Sequence, residues 1–318
     1  MSHKATVYFG CVLLIWIAAA CADKGMTPAE QMEIKRLDLA FEADSVPDYM
    51  ENGKNLYLSV MGEIAGREMT VGEIAGSKAT AMFGDAVNRR LGLLDSVQYC
   101  LGEAFGTVRH ILPQVPVPEV YGVILPVAQS VVTSDSTVLV GLNHYLGADF
   151  EGYRVFPDYI RNRKVRERIP VDIAEAYLAS RFPFTPGETE TSLNHILYEG
   201  ALLHTLEVLF PGKGIAGLLS VTPEQELWLK ENLRNVYHRI LEQQLLFSSD
   251  PSVAAKLLNP SAGTFIVSRD APPMAGRYVG LMIVRDYLDR NPETAPVFLL
   301  TPEFYNSSET LAKSGFNP

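Results

Sequence analysis

The segment from Ser192 to Phe210 constrains the fold more than any other part of the chain. It is apolar on nearly every side of a helix, with few polar side chains. A helix that is apolar all round is stable only when other elements surround it. The chain has 318 residues, 47% of them hydrophobic, which is enough to build such a core. The segment therefore predicts a buried central helix in an ordinary globular domain.

Two histidines and two glutamates interrupt this apolar helix, and three of these four residues carry its chemistry: His195, Glu199 and His204. His195 and Glu199 are four residues apart and share a face, whereas His204 lies five residues beyond Glu199 and points elsewhere. A zinc protease helix carries H-E-x-x-H, whose two imidazoles bind the metal. Alignment on Glu199 puts Tyr198 and Leu202 at the two histidine positions, and neither can replace a neutral imidazole. We therefore expect no metal site, no cofactor and no catalytic residue on this helix.

A buried Glu199 needs a cationic partner, because an unpaired buried carboxylate is costly. Arg277 and Arg285, on a later predicted helix, are the candidates. Polar groups that hold helices in register are a simpler interpretation of this pattern than catalysis.

Periodicity, start signals and stop signals predict the remaining elements. Helices are expected over residues 170–182, 222–246, 251–258 and 277–288 and over most of 50–110. Runs of β-branched residues over 120–125 and 131–142 predict two or three strands, with a turn at 134–136 that makes a hairpin. The expected fold class is α+β, a mostly α-helical single domain with a small sheet.

The N-terminus has the features of a lipoprotein export signal. An apolar run over residues 7–20 follows Lys4 and ends in small residues directly before Cys21, which resembles a bacterial lipobox. We expect a signal peptide over 1–20, a lipidated N-terminus and tether over 21–33, and a folded domain over 34–318. Acyl chains such as palmitate on Cys21 would then hold the protein on a membrane.

Charge and cysteine content exclude further classes. The chain carries 27 basic and 37 acidic residues, a net charge of −10, which argues against binding of nucleic acid. Cleavage removes Cys11 and lipidation consumes Cys21, so Cys100 is expected to remain as a buried structural thiol in a helix.

A basic cluster occurs just past the middle of the chain. It consists of Arg161, Arg163, Lys164, Arg166 and Arg168. Such a cluster could contact anionic lipid headgroups or an acidic partner, but a solvated loop or helix face is the interpretation that we expect.

Several ordered segments form a recognisable set. They are Gly141-Leu-Asn-His-Tyr-Leu-Gly-Ala-Asp149, Tyr153, Pro157-Asp-Tyr-Ile160, Tyr198-Glu-Gly-Ala-Leu-Leu-His204, Thr222-Pro-Glu-Gln-Glu-Leu-Trp228, Gly276-Arg-Tyr-Val-Gly280, Ile283-Val-Arg-Asp-Tyr287 and Ser307-Ser308. Together with the lipobox, this set resembles the gliding-motility lipoprotein B family, GldB, from about Ile34 to the C-terminus.

The resemblance implies a cell-envelope lipoprotein linked to gliding motility and, by association, to the type 9 secretion machinery. It also implies a domain similar to zincin-type metallopeptidases with a degenerate active-site helix, a pseudoenzyme. We expect a lipid-anchored, periplasm-facing protein that acts through protein or peptide contacts with motility or secretion proteins rather than by catalysis. The expected partner-binding cleft contains His195, Tyr198, Glu199, His204 and Arg277.

Two alternatives stay open. A metal-dependent or otherwise unorthodox envelope hydrolase of the peptidase kind would combine His195, Glu199 and His204 with Glu226 or Glu231 on the next long helix. A purely structural envelope scaffold would bind partners through its loops, and its cleft would be filled by side chains.

Overall fold

A computed structural model describes residues 31–43 and 45–318. The expected signal peptide, the lipidation site Cys21 and most of the expected tether lie outside the described residues. Across the part of the chain that is described, no helix has the length and the apolar character needed to span a membrane.

The described residues form a four-stranded sheet and fourteen α-helices. The strands are β1 (Ile34–Arg36), β2 (Glu119–Val123), β3 (Val131–Ser134) and β4 (Thr137–Gly141). The helices are α1 (Leu37–Glu42), α2 (Glu51–Ala65), α3 (Val71–Ala75), α4 (Lys78–Leu91), α5 (Asp95–Ile111), α6 (Asp158–Arg161), α7 (Ile169–Arg181), α8 (Ser192–Leu209), α9 (Gly214–Leu219), α10 (Pro223–Glu242), α11 (Pro251–Leu258), α12 (Ala275–Arg290), α13 (Pro302–Tyr305) and α14 (Thr310–Ser314). The predicted α+β class, mostly helical with a small sheet, is confirmed.

The strands are arranged in the order β1-β2-β4-β3. β1, β2 and β4 run parallel, and β3 pairs antiparallel with β4 in the predicted hairpin. The turn of that hairpin contains Asp135, whose φ of 48° is in the left-handed region that Asp tolerates better than most residues. The sequence did not reveal β1, because three residues with two charges show no strand periodicity.

The sheet separates two apolar layers. Successive side chains of a strand point to opposite faces. Tyr121 and Leu139 therefore pack with the helices around Tyr57, whereas Val120 and Val138 face the main core. Because both faces of the central strands β2 and β4 are covered, these strands are buried at every position after the first.

Helix α8 crosses the main core, as its sequence predicts. Its buried residues occur on every side, from Leu193 through Ile196 and Ala201 to Leu206. Helices α5, α7, α11 and α12 and the short α13 pack around it. The N-terminus of α8 is closed by a capping box, in which Asn194 Oδ1 accepts from the backbone nitrogen of Thr191 at 2.7 Å.

Helices α8 and α12 meet at a pair of glycines. A Cβ atom on Gly200 of α8 would lie 2.7 Å from Cα of Gly280 on α12, and a Cβ on Gly280 would overlap the carbonyl oxygen of Ile196. The backbones of α8 and α12 are therefore in direct contact at this point. Only glycine allows so close an approach at both positions.

Cys100 lies on α5, in the predicted helix, and its thiol is free. It is half-buried rather than fully buried as predicted, because it lies toward the edge of the face that α5 presents to the core. Burial raises the pKa of the Cys100 thiol.

The glycine contact predicts that Gly280→Ala destabilises the protein. The added methyl group must push α12 away from α8, and overpacking of this kind costs about 1–3 kcal/mol or more. Urea denaturation, followed by circular dichroism, should show this loss in the free energy of unfolding.

Gly106→Ala is the matched control. Gly106 is an exposed glycine inside α5, and no atom lies within 4 Å of the position that its Cβ would occupy. Alanine favours helix over glycine, so this variant should be unchanged or more stable by up to about 1 kcal/mol. If both variants have the stability of the wild type, the close crossing of α8 and α12 is wrong.

Candidate functional site

A cleft opens between α7, α8, α12 and the edge strand β3, and it encloses a cavity of about 500 Å³. Tyr198, Glu199 and Arg277 line this cavity, so the structure brings these three predicted residues together. Val131 of β3 and Glu175 of α7 form part of the opposite walls. We refer to this space as the cleft.

Arg277 bridges two carboxylates in the cleft. Its Nη2 donates to Oε1 of Glu175 at 2.6 Å, and its Nε lies 3.0 Å from Oε2 of Glu199. The side chain of Arg277 is only 6% exposed, and a guanidinium so buried requires such partners. Arg285, the other candidate partner of Glu199, pairs with Glu207 instead.

A second arginine extends the bridge. Arg168 is 3% exposed, donates to Asp172 and places its Nη2 3.7 Å from Oε2 of Glu175. Glu175 is therefore shared between Arg168 and Arg277. The resulting chain of buried charges joins α7, α8 and α12 along one wall of the cleft.

The pKa values of Glu199 and Glu175, the two glutamates among these buried charges, shift in opposite directions. Burial raises the pKa of Glu199, with the charge of Arg277 opposing the shift and that of Glu175 adding to it. Burial also raises the pKa of Glu175, but the charges of Arg277, Arg168 and Arg163 outweigh it and hold that pKa below its usual value. Glu199 is therefore the carboxylate of this pair that accepts a proton first on acidification.

His195 and His204 lie elsewhere. His195 stacks on Phe184 with 4.1 Å between ring centroids, and its Nε2 is 2.6 Å from Oε1 of Glu190. Nδ1 of His204 is 3.8 Å from Oε2 of Glu207 and has no hydrogen-bond partner within the described chain. Burial lowers the pKa of His204. Within the described chain, neither histidine lines the cleft.

The positions of the two zinc ligands in a metallopeptidase helix hold side chains of other kinds. The Tyr198 hydroxyl donates to the carbonyl of Phe182 at 2.8 Å, and Leu202 contributes an apolar surface to the cleft. Among the described residues, no group of three or more His, Cys, Asp or Glu side chains is placed to hold a metal ion.

Glu226 and Glu231, the further acidic residues of the hydrolase alternative, lie away from the cleft. Glu226 Oε2 accepts from the backbone nitrogen of Ala216 at 2.9 Å and forms an ion pair with Lys230. Glu231 is exposed on α10. Neither residue belongs to the wall of the cleft in the region that the structure describes.

The prediction of a solvated basic cluster is wrong for Arg163 and Arg168. Arg168 donates to the carbonyls of Gly217 and Leu218, and Arg163 donates to that of Leu219 at 3.1 Å. The last carbonyls of a helix lack intrahelical hydrogen-bond partners. At the end of α9, the guanidinium groups of Arg163 and Arg168 are these partners. Charge pattern alone cannot separate this arrangement from a solvated face.

Sequence reasoning also missed a polar pair in the cleft. Nε2 of His144 lies 3.1 Å from the carbonyl oxygen of Leu125, and its Nδ1 lies 3.1 Å from Nζ of Lys164. Burial and the charge of Lys164 lower the pKa of His144 to about 4. His144 is therefore neutral at physiological pH, with Nε2–H as donor and Nδ1 as acceptor. His144 lies in one of the segments that resemble the GldB family and Lys164 in the basic cluster, but neither pattern indicates that the two side chains meet.

Removal of the bridging cation should destabilise the fold. Arg277→Met keeps an unbranched apolar stem but leaves Glu199 without its partner, and breaking a buried pair in this way costs about 3 kcal/mol. The control Arg285→Met breaks the more exposed pair with Glu207, which is worth about 0–1 kcal/mol. Equal free energies of unfolding for the two variants would contradict the bridge.

Glu199→Gln should change how stability depends on pH. A carboxyl with a raised pKa in the folded state contributes most below its usual value of 4.5, and this contribution is lost as pH rises through the folded value. The wild type should therefore gain stability relative to Glu199→Gln as pH falls from neutral toward 4.5. Urea titrations of both proteins across this range measure the difference, and a constant or opposite trend would contradict the raised pKa.

Comparison with known proteins agrees with the resemblance seen in the sequence. The model of a protein family described as gliding motility protein GldB matches residues 24–318, which include the cleft and the whole described domain. No curated protein and no solved structure matches the chain. Because the family match covers nearly the full length, the chain belongs to the GldB family of gliding motility lipoproteins.

Proposed function

We propose that this protein is a lipid-anchored envelope component that binds a peptide segment of a motility or secretion protein in the cleft, without catalysing a reaction. The observation that carries the proposal is the ion pair between Arg277 and Glu199 inside an open cavity. In a metallopeptidase the corresponding glutamate activates water beside a metal ion. In this protein the carboxylate of Glu199 instead lies beside the guanidinium of Arg277.

A degenerate zincin-like domain accounts for this arrangement. The helix keeps a glutamate that faces a cleft beside an edge strand, whereas Tyr198 and Leu202 stand at the ligand positions. Such a domain would retain the shape of a peptide-binding groove after loss of the metal ligands. It would then bind a peptide without cleaving it.

The sheet edge favours an extended peptide as the ligand. Gly141 donates to the carbonyl of Ser130 at 2.8 Å, and antiparallel pairs alternate between bonded and non-bonded positions. The backbone groups of Val131 and Thr133 therefore point away from β4, toward the free edge of the sheet. Extended peptides add to such edges through main-chain hydrogen bonds. Val131 also lines the cleft, so an added strand would run past Glu199 and Arg277.

Membrane attachment would come from lipid on Cys21. The domain is acidic overall, so general attraction to anionic lipid is a poor anchor, whereas each buried methylene of an acyl chain contributes about 0.8 kcal/mol. The domain would face the periplasm from this tether.

Photo-crosslinking in the native envelope tests the proposal. A photoreactive residue at Ala176, which lines the cleft on α7, should join one defined segment of a partner protein. The same residue at exposed Glu231 on α10 is the control and should not capture that segment. The photoreactive residue at Ala176 is then combined with Glu199→Gln in one variant and with Arg277→Ala in another. Each combination should lower the crosslinking yield by about tenfold, because the charged wall of the cleft is lost.

Both combined variants must first be shown to fold, by their circular dichroism and melting temperature. Equal capture of the same segment by folded wild type and folded variants would argue strongly against the cleft as the binding site. Capture of the segment from Glu231 alone would favour a scaffold that binds through another surface.

A further inference from the structure

A second and larger cavity adjoins the cleft. Its volume is about 860 Å³, and it lies between the 157–168 segment, the 217–223 loop and the 260–274 loop. Four prolines line it: Pro157, Pro223, Pro260 and Pro273. We refer to it as the proline pocket. Arg163 and Pro260 line both cavities, so the proline pocket continues the cleft rather than forming an isolated hole.

Arg163 stands at this junction without an acidic partner. Its Nη1 donates to the carbonyl of Leu219 at 3.1 Å and lies 3.9 Å from the sulfur of Met274. No carboxylate of the described chain is within ion-pair distance of it. Burial and the charge of Arg168 lower the pKa of Arg163, and the more distant charges of Asp172 and Glu175 offset this shift only in part. A half-buried guanidinium in this position is incompletely compensated, and an anion would compensate it.

Away from the exposed rim, cations outnumber carboxylates around this junction. The cations that line the two cavities are Arg163, Lys164, Arg168, Lys213 and Arg277, and the carboxylates away from the rim are Asp172, Glu175 and Glu199. Each of these carboxylates already pairs with Arg168 or Arg277. Two more acids, Asp158 and Glu167, line the rim of the proline pocket, but both are exposed and Asp158 pairs with Arg161.

A hydrogen-bond donor lies beside Arg163. Ser220 lines the proline pocket, and its hydroxyl is buried and has no partner within the described residues. Ser220 directly follows Leu219, whose carbonyl Arg163 holds, and its φ of 54° fixes the backbone in the left-handed region. A buried hydroxyl without a partner is unfavourable, so the pocket offers both a charge and a donor to a ligand.

We propose that the proline pocket receives the C-terminal residue of a peptide, whose terminal carboxylate is bound by Arg163 and the hydroxyl of Ser220. This inference rests on the proposed function, because the preceding residues of the same peptide would lie in the cleft along β3. The proline and Met274 side chains form an apolar wall for the terminal side chain.

Continuity with the cleft favours a peptide over other apolar anions. A fatty acid or a lipid phosphate also offers a negative group on an apolar body, but neither uses the free edge of β3. A peptide carboxylate can come from the C-terminus or from an acidic side chain. The test has to separate these two sources.

Peptide retention by the full-length protein in detergent provides the test. Three libraries of hexapeptides are equilibrated with it: free C-terminal acids and C-terminal amides, both of the same mixed composition without Asp or Glu, and C-terminal amides with one internal Asp or Glu. Mass spectrometry of the retained peptides should show about tenfold enrichment of the free acids over both kinds of amide. Arg163→Met should remove this preference, and Ser220→Ala should weaken it.

Arg161→Met is the matched control. Arg161 is two residues away, carries the same charge and belongs to neither lining, so its loss should leave the preference intact. Ser220→Ala removes only the hydroxyl, so it tests the site even if Arg163→Met fails to fold.

The outcomes separate the two proposals. Retention of amides as strongly as free acids would overturn the carboxylate site and leave peptide binding in the cleft standing. Retention of the amides with an internal Asp or Glu as strongly as the free acids would show that an acidic side chain is recognised, and would also overturn the proposal. Retention of no peptide, with oleate or a lipid phosphate bound instead, would overturn the proposed function as well.

Discussion

The contact between α8 and α12 at Gly200 and Gly280 is the constraint on which the cleft depends. Glu199 directly precedes Gly200, and Arg277 lies three residues, almost one turn, before Gly280. The crossing point therefore fixes both partners of the ion pair at once. A larger side chain at either glycine would push the helices apart and so disturb the ion pair, which makes packing and charge in this domain interdependent.

The buried charges in turn determine what the cleft can do. A glutamate that serves as a general base must be free to take a proton from water. Glu199 instead faces Arg277, which also holds Glu175. Because Arg168 joins the same chain, the wall formed by α7, α8 and α12 is tied together by charge-assisted contacts. This gives a preorganised, polar surface beside an open sheet edge, a combination suited to recognition of a peptide.

The sequence allowed some of this to be predicted, for physical reasons that differ by element. The central helix was predictable because an all-round apolar helix has to be buried, and the hairpin because β-branched runs flank a turn. Strand β1 could not be predicted, since its three residues become a strand only by pairing with β2. The partner of Glu199 could be narrowed to Arg277 or Arg285, but Glu175 and Arg168 could not be found. Their pairing depends on how distant helices approach, and a local pattern does not contain that information.

Zinc content tests the central claim most directly. The claim is that the glutamate of a metallopeptidase-like helix serves a buried ion pair and a binding cleft rather than a metal centre. Elemental analysis of the full-length protein, purified from its own envelope without chelators, should find zinc well below stoichiometric and unaffected by His195→Ala or His204→Ala. Stoichiometric zinc that is lost in either variant would contradict the account.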